Sequence, residues 1–345
     1  MHLSLFIDID GTNLTEDDKQ TLLHPAISGV ILFSRNFHSI SQLKQLIEEI
    51  RSLKDPRLLV SVDQEGGNVQ RFRHSFTKLP SFSKIGDIYQ TDPNLGKRIV
   101  LEHAHIMVKE LRSVGVDLSF TPVVDIGNKN SKVLKDRTFS ENPEIVAELA
   151  SIYSQAMKEN GMIAVAKHFP GHGGVNEDSH FQLPIDKREL SSIWECDLLP
   201  YRNLIKNNLK AVMMAHVIYE KIDMEIAGYS KIIIQDILRK QLGFKGLIFS
   251  DDLSMKGAQK KGGIIARAIA AMKAGCDILL ICNDRASVEE LLNFEEVMAS
   301  MDLQRKILDN LKSTRLYSEK KLNAFSEESL KILIQNNFKG SEGQS

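Results

Sequence analysis

Eight short apolar runs, each four or five residues long, recur along this chain and are separated by longer amphipathic stretches. They are Leu3–Ile7, Gly29–Phe33, Leu58–Val62, Asp117–Phe120, Met162–Ala166, Ala211–Met214, Gly246–Phe249 and Asp277–Ile281. The runs are continuous rather than alternating, which fits parallel strands covered on both faces. Between them the apolar residues fall at helical spacing. Ser41–Leu53 opens at a Ser cap and repeats Leu43, Leu46, Ile47 and Ile50. Leu95–Val114 and Asn142–Asn160 each stop at a glycine, Gly115 and Gly161. Glu189–Asn207, Lys231–Leu242, Gly263–Ala274 and Ser287–Met298 complete the set. This alternation specifies an α/β chain, and the expectation is a single (β/α)8 TIM-type barrel. A doubly wound open sheet is the competing arrangement on the pattern alone.

A barrel of this kind gathers its functional side chains just past the carboxyl ends of its strands. Each run here is followed by polar groups: Asp8 and Asp10; Ser34-Arg35-Asn36; Asp63-Gln64-Glu65; Thr121 and Asp125; Lys167-His168; His216; Ser250-Asp251-Asp252; Asn283-Asp284-Arg285. One polar strand end is uninformative, but packing does not explain polar groups at all eight. Beyond Ser300 no further strand is signalled. Met301–Thr314 and Glu327–Asn336 read as helices flanking the barrel, and the Gly/Ser-rich stretch 337–345 as a disordered tail. With no repeat and no linker, one domain over 1–336 is expected.

The chain has 345 residues, 42% of them hydrophobic, enough for a core of barrel size. Its net charge of -1 offers no basic surplus for nucleic acid. No apolar run approaches the roughly 20 residues that span a bilayer. The opening MHLSLFIDIDGTNL lacks a basic start and a cleavage site, so it reads as a buried strand rather than a signal peptide. Three cysteines, Cys196, Cys276 and Cys282, without CxxC spacing, point to a reducing compartment. The expectation is a cytoplasmic, monomeric enzyme with no membrane or nucleic-acid partner.

The chemistry concentrates in Met162–Pro184, MIAVAKHFPGHGGVNEDSHFQLP. Pro170, Gly171, Gly173 and Gly174 break the run that precedes them, so the backbone loops out carrying Lys167, His168 and His172, followed by Asp178-Ser179-His180. A single histidine at a strand end is more often structural than catalytic. A cation, three imidazoles and a carboxylate together favour a site. His168 and His172 stand four apart, a metal-ligand spacing on a helix, but Pro170 and Gly171 exclude that helix. A second focus is GLIFSDDLSM. Successive residues of an extended chain face opposite ways, so one of Asp251 and Asp252 is expected to face the barrel axis and the other to cap the following turn. In VDQEGGNVQRF, Asp63 and Arg71 could bind sugar hydroxyls or form a structural salt bridge. Arg137, alone in a long loop, reads as solvated.

VDQEGGNVQRF, DRTF, AKHFPGHGGVNEDSH and GLIFSDDLSM together resemble the family 3 glycoside hydrolases, in particular the bacterial cytoplasmic β-N-acetylhexosaminidases of peptidoglycan recycling. The resemblance runs from FIDIDG to about CND, and KHFPGHG followed by DSH carries most of it. It implies Asp251 as nucleophile, His180 as general acid/base and Asp178 as its partner. It also implies sugar binding by Asp63, Arg71, Arg137, Lys167 and His168, with no metal and no cofactor. Relatives often carry Arg where this chain has Asn68, which bears on extended-substrate contacts. The implied reaction is a retaining double displacement that removes N-acetylglucosamine from anhydro-muropeptides. A neutral imidazole base repels phosphate less than a carboxylate would, which admits phosphorolysis beside hydrolysis. Two other classes stand against this one: a metal-dependent barrel hydrolase using the His cluster, and a non-catalytic sugar-binding barrel.

Overall fold

A computed structural model describes residues 2–128, 130–131, 134–176, 179, 183–294 and 298–299. Asp178, His180, the expected helices Met301–Thr314 and Glu327–Asn336, and the tail 337–345 lie outside the described residues. Eight parallel strands form one sheet: β1 Leu5–Ile7, β2 Ile27–Leu32, β3 Leu59–Val62, β4 Leu118–Ser119, β5 Val165–Phe169, β6 Ala211–Met214, β7 Leu247–Asp252 and β8 Ile278–Ile281. Their order is β4-β3-β2-β1-β8-β7-β6-β5. The two ends meet through the segment after β4. Val123 bridges Lys167 in parallel, Val124 N–H donates to Lys167 O at 2.8 Å and Val165 N–H to Thr121 O at 2.9 Å. The closure makes the sheet a barrel and rules out the open doubly wound alternative.

The runs read as continuous because both faces are buried. Phe6, Ile31, Leu59 and Phe249 belong to a cluster inside the barrel, whereas Leu5, Val30, Val60 and Ile248 join the larger cluster under the helices. Each such side chain contributes about 1.5–3 kcal/mol by its burial. Phe249 packs edge-on against Phe6 and Phe120, with ring centroids 5.7 and 5.4 Å apart. Gly29 leaves room for the Phe6 ring: a Cβ there would stand 2.5 Å from it.

Most expected helices form, with caps where the sequence signals them. Ile40–Ser52 starts at Ser39, Pro93–Val114 runs from Asp92 to a left-handed Gly115, and Pro143–Glu159 starts at Asn142. Three expectations change. The stretch Glu189–Asn207 is two helices, Leu190–Glu195 and Leu198–Lys206. The break falls beside Asp197, whose carboxylate Arg188 takes at 2.7 Å. The helix expected over Ser287–Met298 runs instead from Arg285 to Leu292, and Met298–Ala299 pairs in parallel with His2–Leu3. Two helices had no counterpart in the hydrophobic pattern, Glu16–Leu23 and Phe82–Thr91. No described helix is long and apolar enough to cross a membrane.

Candidate active site

At the carboxyl end of the strands a cleft with a cavity volume of about 370 Å3 opens over Asp63, Arg71, Arg137, Lys167, His168, His172, Ser179, Asp251 and Asp252. Every site residue expected from the sequence that lies among the described residues borders it. Two strands run past their expected ends into polar residues, which explains how. β5 runs from Val165 to Phe169, so Lys167 and His168 are rungs of the strand rather than loop residues. β7 likewise continues through Asp251 and Asp252. A polar residue ends an apolar run on paper, but here the ladder continues because partners deeper in the mouth satisfy these side chains.

The β3 side of the cleft is a network of paired charges. Past Asp63 the chain forms a small hairpin, Gln64–Gly66 with Val69–Gln70, turned by Gly66 and Gly67 at φ 95° and 56°. Asp63 and Glu65, two apart on an extended chain, share a face. Lys167 Nζ reaches both, at 2.9 Å from Asp63 Oδ1 and 2.7 Å from Glu65 Oε1. Arg137 forks onto Glu65 with bonds of 2.9 and 2.8 Å. Arg71 stands 3.6 Å from the other oxygen of Asp63 and lies over the Phe33 ring. The expectation that Arg137 is solvated is therefore corrected: its side chain is 14% exposed because the buried Glu65 carboxylate draws it in. Burial alone would raise the Glu65 pKa, but Arg137 and Lys167 outweigh it and hold the carboxyl well below its usual range. Burial likewise works against the Lys167 charge, and Asp63 and Glu65 more than restore it. Asn68 gives its amide to Asp136 at 3.1 Å.

Next to Lys167 on β5 stands His168, which meets a buried Asp125 from the segment after β4. One oxygen of Asp125 meets His168 Nδ1 at 2.8 Å, and the other accepts the backbone N–H of His168 at 3.1 Å and of His172 at 2.8 Å. Burial pushes the Asp125 carboxyl up, His168 pulls it down, and the net shift is downward. His172 is 2% exposed, and neither ring nitrogen has a hydrogen-bond partner among the described residues. Burial lowers its pKa and favours the neutral ring. The loop leaving β5 is pinned where Tyr219 Oη donates to Gly171 O. Further on, Ser179 lies on the cleft wall, its carbonyl accepting from Gly257 N–H at 2.9 Å.

β7 brings up two adjacent carboxylates, and both line the cleft, where alternation alone allows one. The β7–β8 register shifts between Phe249 and Asp252, the irregularity that lets consecutive residues share a side. They nevertheless divide their contacts. Asp252 caps the turn after the strand, accepting from Ser254 N at 2.9 Å and Ser254 Oγ at 2.7 Å, and ties β8 by accepting from Cys282 N at 3.1 Å. Burial, with the Asp251 charge beside it, outweighs these bonds and raises the Asp252 pKa to about 7. Asp251 Oδ1 accepts the Asp252 N–H at 2.8 Å. His216, from the end of β6, meets Asp252 O at 2.9 Å through Nε2.

Glu65, Asp125 and His172 stood among the polar groups at the strand ends and in the loop after the fifth run, but none was given a role in the site. The i, i+2 spacing of Asp63 and Glu65 was the available signal for the first. For Asp125 the only signal was its place after the fourth run, and its partners lie more than forty residues away in sequence. Among the described residues no group of three or more His, Cys, Asp and Glu side chains is placed to hold a metal ion. A cleft of fixed cations and carboxylates on one side, with an open carboxylate rim facing them, suits a small, neutral, hydroxyl-rich ligand.

Comparison with known proteins agrees with this chemistry. The pattern of the glycosyl hydrolase family 3 N terminal domain matches residues 5–317. A β-hexosaminidase of Thioalkalivibrio sulfidiphilus is 48% identical over 289 residues, covering 84% of this chain and 83% of that protein. One from Neisseria gonorrhoeae is 46% identical over 297 residues, covering 86% and 82%. The crystal structure of NagZ from Neisseria gonorrhoeae in complex with N-trifluoroacetyl-D-glucosamine superposes with a TM-score of 0.87 at 38% identity, covering 97% of this chain and 98% of that one. The same protein has also been solved in complex with a zinc ion. Alike in its barrel, in its matched span and in the relatives that share nearly half its residues, the chain belongs to glycosyl hydrolase family 3 and is a glycoside hydrolase of the β-hexosaminidase group.

Proposed function

We propose that the protein is an exo-acting, retaining β-N-acetylglucosaminidase that acts on muropeptide-type β-1,4-linked substrates in cell-wall recycling. Asp251 attacks the anomeric carbon and a glycosyl-enzyme forms as the bond to the leaving oxygen breaks. His180 gives its proton to that oxygen, then takes one from the incoming water, whose oxygen displaces Asp251. Asp178 favours the protonated imidazole and sets its tautomer. Asp63, Arg71, Arg137, Lys167 and His168 hold the hydroxyls of the terminal sugar. The domain spans 1–336 and acts as a cytoplasmic monomer without a cofactor.

The observation that carries this reading is the arrangement across the cleft. Asp251 stands on β7 at one side, the Asp63–Lys167–Glu65–Arg137 network at the other, and Ser179, flanked in sequence by Asp178 and His180, on the wall between. The buried His172 ring, without a hydrogen-bond partner among the described residues, adds polar capacity that a bound sugar can satisfy. The ligand named for the gonococcal structure, an N-acylated glucosamine, supports the same sugar class. The test is release of the aglycone from an aryl N-acetylglucosaminide. Wild type turns it over, and Asp251→Asn loses on the order of 10^4-fold or more in kcat with its fold intact. Wild-type-like turnover by the variant rejects the assignment.

A metal-dependent hydrolase is the second reading, favoured by the zinc complex of the gonococcal protein. Metal analysis of the purified protein and turnover after thorough chelation separate the two: an unchanged rate excludes the metal.

A further inference from the structure

Two of the polar strand ends, those after β1 and β8, take no part in the proposed reaction. They meet in a second cavity of about 390 Å3 lined by Asp8, Asp10, Arg35, Asn283, Asp284 and Arg285. Both cavities fall in the size range of ligand pockets, about 300–1,000 Å3. They adjoin at two points. Asn283 lines both, and Arg35 of the second lies 4.7 Å over the ring of Phe33, which lines the first. The shared Asn283 puts the second cavity within reach of a substituent on the leaving group of a sugar held in the first.

The charges in this cavity are of both signs and do not balance. Arg35 binds Asp8, which also accepts Asn283 N–H at 3.0 Å. Arg285 turns to Asp18 on the helix Glu16–Leu23. Asp284 accepts from Ser287 N at 3.1 Å and Ser287 Oγ at 2.7 Å at the start of its own helix. That leaves Asp10, exposed and with no ion-pair partner among the described residues. We propose that this cavity is the seat of the leaving group's substituent and selects aglycones bearing an ammonium group, such as the free side-chain amine of a short peptide, through Asp10. The inference rests on the reading that the cleft hydrolyses a peptide-bearing glycan.

The experiment compares three substrates on the full chain: a neutral aryl N-acetylglucosaminide, an N-acetylglucosaminyl-muramyl peptide with a free lysine amine, and the same peptide with that amine acetylated. Wild type prefers the free amine over the acetylated form by about threefold in kcat/KM, the scale of an exposed ion pair, and added salt erodes the preference. Asp10→Asn abolishes the preference and Asp10→Lys reverses it, while the neutral substrate is turned over equally by all three proteins. A preference that survives both substitutions, or none in wild type, overturns the inference. Failure of wild type on the neutral substrate overturns the parent reading and this one with it.

Discussion

The two sides of the cleft treat their carboxylates in opposite ways. On the β3–β5 side, Glu65 and Asp125 are fully buried, and cations or a histidine hold both ionised, with pKa values driven down. On β7, Asp252 rests on neutral donors, Ser254 and the Cys282 N–H, and its pKa rises to about 7. Burial opposes the charge on both sides, and the difference lies in what answers it. A paired network keeps its charge and geometry across the physiological range, which suits binding. A carboxylate answered by neutral dipoles sits close to a change of charge, next to the residue proposed to form the covalent bond.

The contrast breaks most severely at Lys167. Lys167→Met removes the cation shared by Asp63 and Glu65 and leaves buried negative charge unanswered. Unfolding in urea is expected to show a loss of about 3–5 kcal/mol, and a loss below 1 kcal/mol would mean that the network is not the support described. Next in size is the proposed acid. His180→Ala is expected to cost about 100-fold in kcat/KM with a natural, poor leaving group and little with an activated aryl one. Equal losses on both substrates would remove His180 from the acid role. The smallest effect sharpens the β7 side. The Asp252 pKa is raised on folding, so its contribution to stability is complete below the ordinary carboxylate pKa near 4 and is lost as pH rises through about 7. Asp252→Asn cannot titrate. The stability difference between wild type and this variant should therefore shift against wild type between pH 4 and 7, by on the order of 1 kcal/mol or more, and a pH-independent difference would contradict the raised pKa.

The barrel was legible because each strand is apolar on both faces, and that pattern survives without any knowledge of partners. It misled most where the barrel interior turns polar, at Lys167–His168 and Asp251–Asp252. There the strands continue through charged residues whose partners come from other strands. The helix Glu16–Leu23 was missed because its apolar face is thin, with Asp18 and Leu22 its buried residues. The Thr15–Asp18 capping box marked it better than hydrophobicity did. The site was legible as strand ends and motifs, and its paired network was not. Arg137 looks solvated in isolation because the Glu65 that buries it lies 72 residues earlier. The adjacency of the β1 and β8 ends follows from barrel closure, yet the charge imbalance around Asp10 depends on which carboxylate each arginine reaches.

The central claim is that a covalent bond forms at Asp251. A fluorinated N-acetylglucosaminyl donor with an activated leaving group, chosen so that breakdown of the intermediate is slower than its formation, tests it directly. Mass analysis of the inactivated protein after proteolysis should place one N-acetylglucosaminyl-sized adduct on Asp251 within GLIFSDDLSM. An adduct on Asp252 or elsewhere, or steady turnover of the donor with no adduct at any stage, would contradict the account.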